Sequence, residues 1–202
     1  MSAPGVVLAH PSGNRFFREL AAALHGAGRL AELCTAIDWQ GGGLASLLPR
    51  RVRAELERRS FSRELGVPVA THPWREVGRL AAARLGWRGL LRHETGAFSV
   101  DAVYRDFDGW VAQRLSRVPA AGIVYAYEDA AETTFAAAGR LGWRRVYDLP
   151  IAYWETSRRL LDEEAGRWPA WEPTLVGTRD SSRKQARKTR ELAQADLVVC
   201  PS

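Results

Sequence analysis

The chain has 202 residues, 46% of them hydrophobic, which is enough for one large α/β domain or two small ones and too apolar for a disordered or fibrous protein. Its only cysteines, Cys34 and Cys200, lie far apart, so we expect neither a disulfide framework nor a CxxC metal site, and a reducing, cytoplasmic setting fits best. The start of the chain lacks a signal-peptide pattern, and no segment approaches the roughly 20 apolar residues of a membrane span, so we expect neither export nor a membrane-spanning helix.

The formal net charge is +6, and arginine carries almost all of it, since Lys184 and Lys188 are the only lysines. A general bias toward Ala, Arg, Gly and Leu explains this excess, and so does attraction to an anionic ligand or surface. Two clusters stand out, and we expect both to face solvent. They are Arg50, Arg51, Arg53, Arg58, Arg59 and Arg63, and Arg183, Lys184, Arg187, Lys188 and Arg190. An anionic membrane or a lipid-linked acceptor is the alternative interpretation of the first cluster.

Short apolar runs alternate with amphipathic stretches, which is typical of βα units around a parallel sheet. Strands are predicted at 5–9, 30–37, 67–71, 122–126, 144–148 and 196–200. Helices are predicted around the stripes Phe16–Leu20–Leu24 and Leu48–Val52–Leu56 and at 74–85, 101–118, 130–141, 154–165 and 182–195, with a loop near 86–96. Ser182 followed by Gln185 has the spacing of a capping box for the last helix. The final strand has no following helix, so we expect the chain to be cut before a further part.

The first predicted turn, His10-Pro11-Ser12-Gly13-Asn14, lies between a buried strand and an amphipathic helix. Open α/β sheets bind ligands at such turns, and the N–H groups that begin a helix favour an anion such as a diphosphate. Gly13 would let the backbone approach a ligand closely. A simpler interpretation is a capped βα turn with Ser12 or Asn14 as the N-cap. Neither GxGxxG nor GxxxxGK[ST] is present.

Two further turns are predicted at the same edge of the sheet. Tyr125-Ala126-Tyr127-Glu128-Asp129 ends the fourth strand, and its carboxylates could bind sugar hydroxyls or move a proton. The alternative is an acidic first turn with Asp129 as the N-cap of the next helix. Tyr153 and Trp154 follow the fifth strand, where their rings could stack on a sugar or base or could belong to the core.

Four segments together resemble bacterial family 4 glycosyltransferases of the GT-B fold. They are residues 10–16, 125–131, 147–154 and 193–202, the last of which resembles the A-D-x-V-x-x-x-S strand before the family's domain crossover. The resemblance spans the chain and corresponds to the N-terminal half of such an enzyme. It implies a Rossmann-like open parallel sheet with helices on both faces, in which residues 1–202 form one acceptor-side domain and the C-terminal donor-binding domain is absent.

The resemblance also implies an activity, which is transfer of a sugar from a nucleotide-sugar donor to an acceptor hydroxyl with retention of configuration. The nucleotide-sugar is a co-substrate, and neither a cofactor nor a metal is expected. Relatives bind the acceptor on this half and the donor mostly on the other half. Stabilisation of the departing nucleoside diphosphate would come mostly from that other half, so we expect the chain alone to be inactive.

The three turns and the resemblance together indicate the site. Many relatives carry a cleft histidine after the fourth strand, where this chain has Tyr127-Glu128-Asp129. The candidate catalytic residues are Glu128, Asp129 and His10. The candidate substrate-binding residues are Ser12, Gly13, Asn14, Tyr127, Tyr153 and Trp154.

Two other functions remain open from the sequence. A non-catalytic partner subunit would share the fold, and an exposed apolar surface together with self-association, such as a homodimer, would favour it. A basic nucleic-acid-binding module would explain the charge, but RRM, zinc-finger and helix-turn-helix signatures are missing, so no nucleic acid is expected as a partner. Hydrolase motifs are missing too, and the pair His93-Glu94 stays unassigned.

Overall fold

Six short strands form one parallel sheet. The computed structural model describes residues 4–41, 50–57, 59–61, 65, 69–118 and 121–201. Within them the strands are β1 (Gly5–Ala9), β2 (Leu30–Thr35), β3 (Val69–Thr71), β4 (Ala121–Tyr127), β5 (Arg144–Asp148) and β6 (Leu197–Val199). Their order is β3-β2-β1-β4-β5-β6, and each neighbouring pair is parallel. The predicted Rossmann-like α/β fold is confirmed.

Helices connect successive strands. The α-helices among the described residues are α1 (Arg15–Gly26), α2 (Arg50–Glu57), α3 (Trp74–Arg84), α4 (Val100–Arg114), α5 (Glu132–Arg140), α6 (Trp154–Arg167) and α7 (Ser182–Gln194). Short 3-10 helices occupy Arg88–Leu91, Leu115–Arg117, Pro169–Thr174 and Val176–Arg179. No helix in this part of the chain is long and apolar enough to cross a membrane.

The core lies on both faces of the sheet because neighbouring residues of a strand point to opposite sides. Leu8 of β1 packs with Phe17 of α1 on one face. Val7, the residue before it, belongs to a larger cluster with Phe107 of α4 and Phe135 of α5 on the other face. The predicted placement of helices on both faces is therefore confirmed.

Several predicted boundaries shift in the structure. The second strand ends at Thr35, and the helix predicted to reach residue 118 ends as an α-helix at Arg114. The predicted loop near 86–96 contains the 3-10 helix Arg88–Leu91. Leu48, Arg58, Arg63 and Val67 lie outside the described residues.

Two predicted caps are wrong. Ser181, not Ser182, caps α7, because its side chain accepts a hydrogen bond from the N–H of Lys184. Asp129 does not cap α5: the side chain of Asp108 instead accepts hydrogen bonds from the N–H groups of Thr133 and Thr134 at 2.7 and 2.8 Å. A carboxylate from a different helix therefore satisfies the first turn of α5.

Candidate functional site

The sheet order brings the predicted turns to one edge. From β1 the chain builds the sheet toward β2 and β3, and from β4 it builds the other way toward β5 and β6. The reversal falls between β1 and β4, and a crevice outside the carboxyl ends of the strands at such a point is where open α/β sheets bind ligands. His10 follows β1 at this crevice, and Glu128 follows β4.

His10 is buried and holds the first turn in shape. Its Nδ1 accepts hydrogen bonds from the N–H groups of Ser12 and Gly13 at 3.2 and 2.8 Å. Burial lowers the pKa of His10 to about 3. An unprotonated Nδ1 places the proton of the neutral ring on Nε2, so His10 offers a hydrogen-bond donor on that side. The ring also contacts Tyr127, with centroids 4.0 Å apart, so two candidate residues from different strands do meet.

Asn14 is the N-cap of α1, as one of the two interpretations of this turn predicts. Its Oδ1 accepts a hydrogen bond from the N–H of Phe17 at 2.8 Å. This bond turns the Asn14 amide nitrogen toward His10, where Nδ2 lies 3.5 Å from Nε2. Both nitrogens are donors in this tautomer, so neither satisfies the other, and an acceptor atom beside them could bind both.

Gly13 is required by the fold rather than by a ligand. Its φ is +63°, and a Cβ built on it would lie 2.3 Å from Cζ of Phe61. Phe61 is fully buried against Phe17, so the space that a side chain would need is already filled. The close approach predicted at Gly13 is thus an approach to an aromatic ring of the core.

Ser12 faces α4 across the crevice. Its side chain hydrogen-bonds the hydroxyl of Tyr104, whose pKa is raised by burial. The ring of Tyr104 lies edge-on to Tyr127, with centroids 6.2 Å apart. Burial likewise raises the pKa of Tyr127. Ser12, Tyr104 and Tyr127 are therefore neutral hydrogen-bonding groups at neutral pH.

Glu128 and Asp129 point into an ionic network under α7. Oε1 of Glu128 lies 3.1 Å from Nζ of Lys188. Oδ1 of Asp129 accepts a hydrogen bond from Arg187 at 3.0 Å, and Arg187 also binds Asp101 at 2.5 Å. The α7 network comprises Asp101, Glu128, Asp129, Asp180, Lys184, Arg187, Lys188 and Glu191.

The α7 network overturns one expectation about charge. Arg187 and Lys188 were expected to face solvent with their neighbours, but both are buried. Burial opposes the charged form of Lys188, yet the carboxylates of Asp129 and Glu128 outweigh it and raise the pKa of this amine. Burial also raises the pKa of Glu128. The two candidate carboxylates therefore hold α7 against the end of β4.

Glu191 completes the network from the core side. Its Oε2 accepts hydrogen bonds from the N–H of Asp129 at 2.9 Å and from the hydroxyl of Tyr147 at 3.0 Å. Burial raises the pKa of Glu191 to about 7. Asp129 has a φ of +69°, a left-handed conformation that non-glycine residues adopt rarely. The hydrogen bond from its N–H to Glu191 holds that conformation in place.

A cleft of about 330 Å³ opens at the same edge, between the start of α1 and the ends of β4, β5 and β6. We call it the edge cleft. Its lining consists of Asn14, Arg15, Phe16, Tyr125, Asp148, Pro150, Val199, Cys200 and Pro201. Tyr125 and Asp148 hydrogen-bond each other in it, and burial raises the pKa of both groups.

The edge cleft adds four residues to the candidate site: Arg15, Phe16, Tyr125 and Asp148. Asp148 ends β5 at the predicted edge, and Tyr125 lies two residues before Tyr127 and therefore on the same face of β4. Strand alternation could have identified Tyr125 once Tyr127 was chosen. Phe16 belongs to the predicted apolar stripe of α1, yet it is strongly exposed. The stripe therefore gave no indication of its place in the cleft.

Tyr153 and Trp154 do not line the edge cleft. The hydroxyl of Tyr153 and the indole N–H of Trp154 both donate to Oγ1 of Thr189 on α7, at 3.0 and 3.1 Å. These bonds join the start of α6 to α7. Tyr153 and Trp154 therefore stabilise the junction between these two helices in the structure.

His93 and Glu94 come together with Asp180 in a group that could hold a metal ion. Nε2 of His93 lies 3.0 Å from Asp180, but Nζ of Lys184 lies 2.9 Å from the same carboxylate oxygen. Both carboxylate oxygens of Glu94 accept hydrogen bonds from Ser181, which lower its pKa against the effect of burial. Protein donors thus already engage these oxygens, so we assign no metal here.

No protein-family model matches the chain, and no curated protein gives a significant match.

Proposed function

We propose that this chain is the acceptor-side domain of a retaining GT-B glycosyltransferase of the family 4 type. Joined to a donor-binding domain, it would transfer a sugar from a nucleotide-sugar to an acceptor hydroxyl. The observation that carries the proposal is the edge cleft beside the reversal between β1 and β4. The four sequence segments that resemble the family support the same function.

The lining of the edge cleft suits a sugar. The carboxylate of Asp148 can accept hydrogen bonds from hydroxyl groups, while Tyr125 fixes its orientation. The exposed ring of Phe16 offers an apolar face on which a sugar ring can stack. A cleft of about this volume with a few polar groups in its lining is typical of a small-molecule site.

The start of α1 suits the donor phosphates. Its free N–H groups and the positive end of its dipole attract an anion. Arg15 adds an exposed guanidinium at this end, and the amide of Asn14 adds a donor beside Nε2 of His10. His10 would act in this proposal as a fixed neutral donor, because its other nitrogen is bound by the turn.

Glu128 and Asp129 would position the site in this proposal. Their contacts with Lys188 and Arg187 hold the end of β4, which carries Tyr127. Removing either carboxylate should therefore alter the shape of the crevice before it alters proton transfer.

Binding of sugars to the chain alone tests the proposal. We expect mono- and disaccharides to shift the backbone amide resonances of Arg15, Phe16, Asp148 and Cys200. Asp148→Asn should weaken this binding roughly tenfold, since a hydrogen bond to a charged group is worth about 1.5–3 kcal/mol. Asp162→Asn on α6 is the matched control, because Asp162 is exposed, pairs with Arg158 on the same helix and does not line the edge cleft. Shifts confined to the opposite edge, or none, would refute the acceptor-side assignment.

A transfer assay separates this function from its rivals. We expect the chain alone to show no turnover of nucleotide-sugars and to gain it only with a donor-binding domain. Robust turnover by residues 1–202 alone would contradict the division of labour that we propose. Salt-sensitive binding of RNA or DNA without sugar binding would favour the nucleic-acid module instead.

A further inference from the structure

Helix α3 exposes its apolar side. Trp74, Val77 and Leu85 follow one another at helical spacings of three and eight residues, so they lie on one face. Their exposed fractions are 77%, 48% and 59%, and Trp87, just after the helix, is 55% exposed. The side that faces the protein contains the carboxylate of Glu76, which is buried. We call the exposed surface formed by Trp74, Val77, Leu85 and Trp87 the α3 face.

The α3 face is surrounded by positive charge. Residues 74–92 contain five arginines and one acidic residue. That residue, Glu76, is bound by Arg79 at 2.6 Å and by Arg59 at 3.2 Å, so its charge is neutralised inside the protein. Arg84, Arg88 and Arg92 are exposed, and none of the three has a carboxylate partner among the described residues.

A second pair of exposed tryptophans lacks this charge. Trp168 and Trp171 are 58% and 66% exposed and line a different groove. Residues 154–179 around them contain four arginines but five acidic residues. Exposed indoles thus occur at two places in the chain, but uncompensated arginines accompany only the α3 face.

We propose that the α3 face docks on the surface of an anionic lipid bilayer. Tryptophan rings prefer the headgroup level of a membrane, because one end of the indole is apolar and the other is polar. Arginines beside them can pair with lipid phosphates while their stems cover apolar surface. The helix lies on the membrane rather than across it, since a segment of 11 residues is too short to span one. The arginines beside the apolar side chains complement the negative charge of such a bilayer, which favours lipid over a neutral apolar partner.

Membrane docking of the α3 face does not depend on the glycosyltransferase proposal, but it involves the same edge of the sheet as the edge cleft. α3 begins three residues after the end of β3, at the carboxyl edge of the sheet on which the edge cleft opens. A docked α3 face would therefore bring one end of that edge toward the membrane.

Vesicle co-sedimentation tests the docking. The chain should bind vesicles made of equal parts phosphatidylglycerol and phosphatidylcholine, should ignore pure phosphatidylcholine and should be released by high salt. The double variant Trp74→Ser, Trp87→Ser should lose the binding. Each of Arg84→Gln, Arg88→Gln and Arg92→Gln should weaken it roughly fivefold, and the triple variant about a hundredfold. All these side chains are exposed, so circular dichroism should show unchanged folding.

The matched control is Trp168→Ser, Trp171→Ser, which removes equally exposed indoles from an acidic surface and should leave vesicle binding unchanged. Equal loss in this control would overturn the proposal. So would equal binding to pure phosphatidylcholine, no binding to either vesicle, or vesicle binding that the α3 variants retain. If the wild-type chain binds no vesicles but forms a dimer, and the Trp74→Ser, Trp87→Ser variant is monomeric, the α3 face contacts a second copy of the chain instead. Salt-sensitive binding of nucleic acid without vesicle binding would likewise overturn it.

Discussion

Replacing His10 with asparagine should remove a pH-dependent cost to folding. The structure keeps His10 neutral inside the protein, with Nδ1 bound by Ser12 and Gly13. Asparagine can place its Oδ1 near the position of Nδ1, so the turn keeps its acceptor. The variant has no group that must lose a proton in order to fold.

The magnitude follows from the pKa of His10, which falls from 6.5 to about 3 on burial. Below pH 6.5 the unfolded chain binds a proton that the folded chain excludes, so the free energy of unfolding falls as the pH falls. Each pH unit in that window costs about 1.4 kcal/mol. Between pH 7 and pH 5 this one group should remove about 2 kcal/mol from the free energy of unfolding, with most of the loss below pH 6.5.

Urea unfolding at several pH values tests this reasoning. The quantity to compare is the difference in free energy of unfolding between His10→Asn and the wild type, because other titrating groups cancel in it. The difference should favour the variant progressively from pH 7 to pH 5, by about 2 kcal/mol. A difference that does not change with pH would mean that His10 takes up its proton at the same pH in the folded and the unfolded chain, so Nδ1 would not be held as the acceptor of the turn.

Two further substitutions, Gly13→Ala and Glu191→Gln, test the packing and the protonation state at the site, and Gly28→Ala is the control for the first. Gly13→Ala should lower the free energy of unfolding by about 2–4 kcal/mol in a urea titration, because it combines left-handed backbone strain with a clash against Phe61. Gly28→Ala should lower it by only about 1–2 kcal/mol, because Gly28 has a similar φ of +61° but open space around its Cβ. Equal losses would show that Phe61 moves aside freely. Glu191→Gln should gain stability relative to the wild type as the pH rises from 4.5 to about 7, by about 3 kcal/mol over that window, since folded Glu191 keeps a proton that the unfolded chain has lost. A flat difference would show that Glu191 loses its proton at the same pH in the folded and the unfolded chain.

Much of the fold follows from local pattern. The strands Gly5–Ala9 and Arg144–Asp148 are predicted with their observed bounds. The first is a continuous apolar run, as a buried parallel strand requires, and the second ends shortly before Pro150, which cannot continue a strand. The N-cap of α1 is predicted as either Ser12 or Asn14, since capping depends on residues within one turn of the helix, and the structure shows that it is Asn14. The ends of longer elements are less predictable. The switch to a 3-10 helix at Leu115 has no local signal in the apolar stripe.

The site is predicted in part, and the misses share a cause. Lys188 and Glu128 are 60 residues apart in the sequence, so the residues around either one do not show that the two side chains form an ion pair. A basic run on an amphipathic helix usually faces solvent. Arg187 is buried instead because it pairs with carboxylates from α4 and from the end of β4, which are remote in the sequence. Asp108, which satisfies the start of α5, is likewise remote from it. Helix α3 shows the same limit, since periodicity reveals a stripe but not the side of the helix that faces solvent.

The contributions of His10 and Glu191 to the pH dependence of folding should almost cancel in the wild type. His10 makes the free energy of unfolding rise with pH between about 3 and 6.5, whereas Glu191 makes it fall between 4.5 and about 7. Each slope is about 1.4 kcal/mol per pH unit, so their sum is close to zero where the windows overlap. His10 contacts Phe17 on one face of the sheet and Glu191 binds Tyr147 on the other, so their effects should add. His10→Asn and Glu191→Gln should therefore tilt the pH profile in opposite directions from pH 4.5 to 6.5, and the double variant should restore the wild-type slope. A double variant that keeps either tilt would show that the two groups titrate as one coupled unit, with protons shared across the edge of the sheet.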